Sequence, residues 1–441
     1  MCNCWIVYCI NFQQETKEIK LISYIYKCGT QHTKCLGTSL GVHITLFELF
    51  PLSQKILQGT MALFSAESDW TQHVINQSKQ QHSLFAMTYS PDTQYLIGAT
   101  DTGVINIFNL QECMNTFRLK GTTTQRPTLA FPVCQSPIYS LVFAGTSKKP
   151  ILMIGTDEET LGYDWNVILK SINKFTDDGS IIHIQHAIRF QNPQKPGRRG
   201  RTTGVAETNA LRCDMFNASN IVHAAAGDGV CYQWDIETQQ CVGSLIGLQR
   251  GGYLHDMVLL PSSNQIATAS EDGTVKMWDG RTSTCTSSTR PLSDQSGNNN
   301  NDGSVVRSLL IDSGENWLVC GGSSSTNTGR LALLCGGVKA GVADSPAPIH
   351  SLCECDGLIV SVGAEGYLRN WSRDLTRVIT TVSTSSPIMN WVGYNQNNES
   401  AKVLASGGAS PTVDLFIPSD DVCAPCGFVL EVAGQYNGVV R

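Results

Sequence analysis

The chain has 441 residues, of which 41% are hydrophobic and 15% charged, with 40 glycines, 16 prolines and a formal net charge of −6. This composition excludes a globally disordered chain and argues against a bulk polyanion binder, though not against a local basic patch. It favours many short strands joined by turns over long helices, and no apolar run reaches the length needed to span a bilayer, so a soluble intracellular protein with no membrane partner is expected.

Residues 1–60 stand apart from the rest of the chain. They are rich in Cys, Tyr and Ile, carry 5 Lys against 3 Glu, and lack a rhythm of strands and turns. They read as an atypical extension outside the fold, with Met61 as a natural translation start and residues 61–81 as a lead-in. Five of the 17 cysteines fall in the first 35 residues. An odd total without a secretory leader places the chain in a reducing compartment. Cysteines inside apolar runs, such as Cys320 and Cys335, read as small buried hydrophobes.

From residue 82 the chain repeats itself. The template is an apolar strand, small residues, an acidic–glycine corner, then an alternating strand closing on an aromatic. In chain order the copies are YLIGATDTGVINIFN (corner at Asp101, closing on Phe108), ILMIGTDEETLGYDW (closing on Trp165) and IVHAAAGDGVCYQWD (Asp228, Trp234). The fourth contains SEDGTVKMWD (Asp272, Trp278), and WLVCGGSSSTNTGRLALL comes next with Leu333 in the aromatic's place. LIVSVGAEGYLRNWS (Trp371) and VLASGGASPTVDLFI (Phe416) complete the set. A further apolar strand precedes each copy, three times entered through Pro-Ile at Pro137, Pro348 and Pro387.

Seven copies, with steps of 44 from Trp234 to Trp278 and 45 from Trp371 to Phe416, match four-stranded propeller blades. The predicted fold is all-β: a seven-bladed WD40-type β-propeller over 82–432, with a tail at 433–441. Its corners are expected to be two-residue turns needing positive φ, and its aromatics to pack between blades. Only two copies keep the full Trp-Asp pair, and no Gly-His dipeptide precedes a blade. The outer strand of the last blade is either Gly427–Val432 or residues before Ser83.

No catalytic constellation assembles, so neither an enzyme nor a cofactor, metal or small-molecule substrate is expected. His183 and His186 alternate with isoleucines and read as a polar strand face. The Cys423/Cys426 pair lacks the second pair that a zinc site needs. Asp101, Asp228 and Asp272 read as turn residues, and Trp165, Trp234, Trp278 and Trp371 as structural anchors. The informative non-blade segment is a loop at 171–205, where QNPQKPGRRGR carries Lys195, Arg198, Arg199 and Arg201 with no acid among them. These residues suit RNA phosphates, a nuclear import signal, an acidic partner, or nothing beyond solubility. The polar loop at 286–304 reads as a connector.

The order of blades, MWDGRT after the fourth, NWLVCGG in the fifth and SVGAEGYLRNWS in the sixth resemble the THO complex subunit 6 family, over roughly residues 62–432. That resemblance implies a non-catalytic scaffold in the nuclear THO/TREX assembly, which couples mRNA transcription and processing to export. It implies other THO subunits as partners, including the coiled-coil subunits 5 and 7, with mRNA contacted directly or through the complex. The residues alone also allow a WD40 substrate receptor or scaffold for a ubiquitin ligase or another multiprotein complex.

Overall fold

The computed structural model describes residues 83–120, 124–172, 182–193, 204–214, 220–246, 252–293, 303–395 and 402–417, together with the backbone of strands at 5–13, 18–26 and 426–431. Two compact units separate at Ile75/Asn76. In the first, Trp5–Gln13 pairs antiparallel with Glu18–Tyr26, so this segment does hold a strand pair that its composition did not announce.

The second unit is a seven-bladed propeller. Every blade is a four-stranded antiparallel meander, and the last gains a fifth strand. Blade one runs Leu84–Tyr89, Tyr95–Thr100, Val104–Asn109, Leu129–Pro132, and blade four Leu254–Leu260, Gln265–Ser270, Val275–Asp279, Cys285–Thr289. The first strands of successive blades pack side by side, and that of the seventh returns to that of the first, closing the ring.

The outer strand of blade seven is Cys426–Glu431, paired with Thr412–Ile417, so among the described residues closure uses no exchanged strand from the amino-terminal side. The seam between blades seven and one is held by side chains. Tyr89 donates its hydroxyl to the carbonyls of Gly393 (3.2 Å) and Val403 (3.0 Å), and Asn390 Nδ2 donates to Leu84 O at 2.9 Å. Leu84, Leu96 and Phe108 of blade one pack with Val403, Ala405 and Leu415 of blade seven. In addition Thr124–Gln125, from the connection inside blade one, pairs parallel with Val429–Leu430 at the outer edge of blade seven. The first blade thus clasps the last.

The corners differ from the expected two-residue turns. At Ala226–Gly229, Ser270–Gly273 and Thr100–Gly103 the glycine N–H bonds the carbonyl three residues back, and only that glycine has positive φ (79°, 80° and 76°). This is a type I turn followed by a left-handed glycine, so each Asp keeps ordinary φ. Its work is done by the side chain: Asp228 Oδ1 accepts Val230 N–H at 3.0 Å, and Asp272 Oδ1 accepts Thr274 N–H at 2.9 Å. The Asp of each Trp-Asp pair caps the next turn in the same way, Asp235 accepting Glu237 N–H and Asp279 accepting Arg281 N–H, both at 2.8 Å.

The anchors lie between blades, with two shifts of position. Trp234, Trp278 and Trp371 each pack against the preceding blade. They stand where a bulge shifts the third strand against the fourth. In blade five that bulge falls at Leu334 rather than Leu333, and Leu334 faces blade four while Leu333 faces blade six. In blade two the position opposite Leu152 is held by Tyr163. Trp165 opens the helix Trp165–Ile172, buried edge-on to Phe143 (5.1 Å) and to Tyr95 of blade one (5.8 Å).

Trp278 and Trp371 donate Nε1 to Thr268 Oγ1 (3.0 Å) and Ser361 Oγ (2.8 Å). Trp234 has no such partner, because the equivalent residue is Ala224. It stacks instead on Phe190 of blade two, with centroids 5.0 Å apart and planes 4° from parallel.

Three further readings change. The stretch 171–205 contains blade two's outer strand, Ile188–Gln191, and 286–304 begins inside that of blade four, Cys285–Thr289. His183 and His186 are exposed on irregular chain ahead of a strand, not on one. Cys320 is buried, but Cys335 ends its strand in solvent.

Candidate binding site at the central channel

Each inner strand begins with the same irregularity. Pairing with the second strand skips one residue, between Leu84 and Ala86, Ile138 and Ser140, Thr208 and Ala210, and Leu254 and Asp256. The skip recurs between Val306 and Ser308, Ile349 and Ser351, and Met389 and Trp391. A bulge frees one residue from the ladder and re-aims its side chain. Here it places one side chain per blade on a single cavity of about 430 Å³ enclosed by the inner strands: Phe85, Tyr139, Asn209, His255, Arg307, His350 and Asn390. Because these strands start opposite the residues that lead into the Asp–Gly corners, the ring lies at the corner end of the propeller. The helices Leu110–Lys120 and Trp165–Ile172 come after third strands and so leave from the other end.

Five of the seven are occupied with one another or with backbone. Phe85 stacks on Tyr139 at 5.9 Å and 12°. Asn209 Nδ2 donates to Leu254 O at 3.0 Å, Asn390 Nδ2 to Leu84 O at 2.9 Å, and His350 Nδ1 to Met389 O at 3.0 Å. Each of these reaches the carbonyl just before the next blade's bulge, so the polar ring residues tie blade to blade.

His255 and Arg307 are different. His255 Nε2 and Arg307 Nε are buried with no hydrogen-bond partner among the described residues. Burial, reinforced by the charge of Arg307, pushes the His255 imidazole down to about 4 and also lowers His350. At neutral pH both rings are uncharged and Arg307 is the standing charge between them.

The channel carboxylate, Asp256, is engaged elsewhere. It accepts Arg212 Nη2 at 2.6 Å, its own strand's Met257 N–H at 2.8 Å and Leu309 N–H of blade five at 2.9 Å. It thereby ties blades three, four and five together.

Of the residues singled out in the sequence, the corner aspartates lie at the channel end of the blades and the tryptophans between blades; none lines the channel. Lys195, Arg198, Arg199 and Arg201 lie outside the described residues. The connection that carries them joins Gln191 to Thr208, both at the corner end. Its base is closed by Asn192, which donates Nδ2 to Ala206 O at 3.0 Å and Thr208 Oγ1 at 3.1 Å. The channel ring itself was missed. Its signal is the second residue of LFA, IYS, TNA, LHD, VRS, IHS and MNW, an aliphatic or Thr, a variable residue, then usually a small or polar one, seen when the inner strands are aligned. No group of three or more His, Cys, Asp or Glu able to hold a metal is found among the described residues.

Residues 239–279 match the family described as WD domain, G-beta repeat. That span begins in the turn leading into the outer strand of blade three and ends with the third strand of blade four, so the sequence repeat is offset from the blade by one strand. The chain is 29% identical over 285 residues to "THO complex subunit 6" of Arabidopsis thaliana, covering 64% of this chain and 71% of that protein. It is 23% identical over 343 residues to "THO complex subunit 6 homolog" of Danio rerio, covering 76% and 94%. The chain is a WD40-repeat β-propeller that resembles THO complex subunit 6.

Proposed function

We propose that the chain is a non-catalytic scaffold subunit of a THO/TREX-type assembly in the nucleus, supporting assembly of the complex and the coupling of mRNA transcription and processing to export. The similarity to two THO complex subunit 6 proteins, running across most of the propeller, carries this reading. A stiff ring with unlike connections at its corner end suits the role, because binding specificity resides in loops held by a rigid frame. The partners on this reading are other THO subunits, including the coiled-coil subunits 5 and 7. The segment with Lys195, Arg198, Arg199 and Arg201 meets mRNA or an acidic partner surface.

Affinity purification of the tagged full chain from nuclei tests this. THO subunits should be recovered in stoichiometric amounts. Their absence overturns the proposal, and ubiquitin-ligase adaptors in their place favour a substrate receptor. Filter binding with single-stranded RNA, repeated across a salt series, should lose part of its slope when the four basic residues become alanine.

A further inference from the structure

We propose that the corner-end mouth of the central channel binds one acidic side chain of a protein partner, its carboxylate set against Arg307 and His255. Such a site would serve the propeller in whichever assembly the chain joins.

Arg307 differs from five other arginines of the propeller, which are ion-paired: Arg189 with Glu159, Arg212 with Asp256, Arg330 with Asp344, Arg369 with Glu365 and Arg373 with Asp312. Arg307 has no carboxylate within ion-pair distance among the described residues, and its Nε is buried without a hydrogen-bond partner. A buried N–H left without an acceptor is costly, and a ligand's carboxylate supplies one. The nearby Asp256 cannot serve, since its oxygens already accept from Arg212, Met257 and Leu309.

The neighbouring blades complete the site. His255 of blade four brings a second unpartnered buried nitrogen, Nε2, which as a neutral imidazole can donate to an anion. His350 of blade six has its Nδ1 committed to Met389 O, which fixes its ring. Both histidines are close enough to Arg307 to feel its charge.

Size and charge choose the ligand class. About 430 Å³ suits one side chain and its neighbours rather than a run of nucleotides. A nucleic-acid strand brings one phosphate per nucleotide and calls for a row of cations, whereas the channel offers one unpaired arginine. The rim is apolar. Phe85 and Tyr139 stack at the mouth, and Tyr253, Tyr367 and Ile388 stand 46%, 46% and 40% exposed at strand ends on the same side. A peptide that packs on these residues while lowering one acid into the channel satisfies both features.

The test is selection of phage-displayed random twelve-residue peptides on the immobilised full chain, with enriched sequences resynthesised and measured by fluorescence anisotropy. One invariant Asp or Glu beside an aromatic or aliphatic residue is the expected consensus. Arg307→Gln should weaken that peptide by about tenfold to a hundredfold, the range for a charge-assisted hydrogen bond. Asn or Gln in place of the peptide's acid should cost the same factor, and the two changes together no more than either alone. Arg307→Lys should retain part of the affinity, and this variant with the peptide-side change carries the test if Arg307→Gln fails to fold. Enriched peptides without an acid, affinity indifferent to a folded Arg307→Gln chain, or a fifteen-nucleotide oligouridylate that binds through Arg307 in their place would each overturn the proposal.

Discussion

Replacing Trp278 separates the two things an inter-blade anchor does. The side chain is 3% exposed and packs among Ala225, Cys231, Leu245 and Met257 of the blade three–four interface. Trp278→Ala removes that contact and leaves a cavity between blades, at a cost of about 3–5 kcal/mol. The propeller-bearing unit spans about 370 residues, for which the unfolding entropy is roughly 0.8 kcal/mol/K, so Tm should fall by roughly 4–6 °C if the ring melts as one unit. Trp278→Phe keeps most of the ring contact but withdraws the Nε1 donor from Thr268 Oγ1, a hydroxyl on a residue 1% exposed. That loss costs about 1–3 kcal/mol, and Thr268→Val in the same chain should return part of it, because no buried hydroxyl is then left to pair. Differential scanning calorimetry of the four chains reads all of this. An unchanged Tm for Trp278→Ala, or a Trp278→Phe loss that Thr268→Val deepens, would refute the placement of this indole.

The same geometry sets four further outcomes. Ala224→Ser gives the unpartnered Trp234 indole the acceptor that blades four and six have, so it should raise stability by about 1 kcal/mol, and the gain should vanish in a Trp234→Phe background. Gly273→Ala forces a side chain onto φ 80° and sets its Cβ 2.6 Å from Ser304 O, whereas Gly336→Ala meets nothing within 4 Å at φ 55°. Chemical denaturation should show the first costing clearly more than the roughly 1 kcal/mol expected for the second. His223 and His255 are both held neutral by burial, at about 4 against an ordinary value of 6.5; a depressed base leaves the unfolded chain with more protons, so stability should be flat above pH 6.5 and fall by up to about 3 kcal/mol per histidine as pH drops to 4, as read by Tm against pH. Truncation after Ile417 removes the outer strand of blade seven and the strand that Thr124–Gln125 pairs with, so size-exclusion chromatography should show association through the bared edge of Thr412–Ile417.

The ring was legible because the blades draw on the same three things: small residues where blades crowd, a tight corner that closes on a left-handed glycine in blades one, three and four, and a large side chain between blades. What the pattern left open was register. Leu333 and Leu334 are equally apolar neighbours, and only the bulge against the outer strand decides that Leu334 faces the preceding blade. In blade two, Tyr163 and Trp165 lie two residues apart in sequence, a spacing that a continuous strand would put on one face. Trp165 has the larger ring, but the strand ends at Asp164 and Trp165 already belongs to a helix. The turn type was similarly hidden, since Asp-Gly suits both a two-residue turn and a type I turn with a left-handed glycine, and the ladder decides between them.

The channel site was illegible for a different reason, which also says where function resides in such a ring. His255 and His350 lie far apart in sequence, and no motif spacing unites them with Arg307. Ring closure does, because each occupies the same bulged slot of a different copy. That slot carries no ladder bond and packs in no inter-blade cluster, so the repeat does not dictate its residue: Phe, Tyr, Asn, His, Arg, His and Asn stand there in turn. The residues on either side remain apolar, small or engaged in the ladder. Positions that recur from copy to copy build the frame, and a position that varies at fixed register inside it is free to be chosen for a ligand. Five of the seven choices strengthen the ring by stacking or by tying to a neighbouring carbonyl. His255 and Arg307 leave buried nitrogens without a partner, a cost that ring assembly does not require and that an incoming carboxylate would offset.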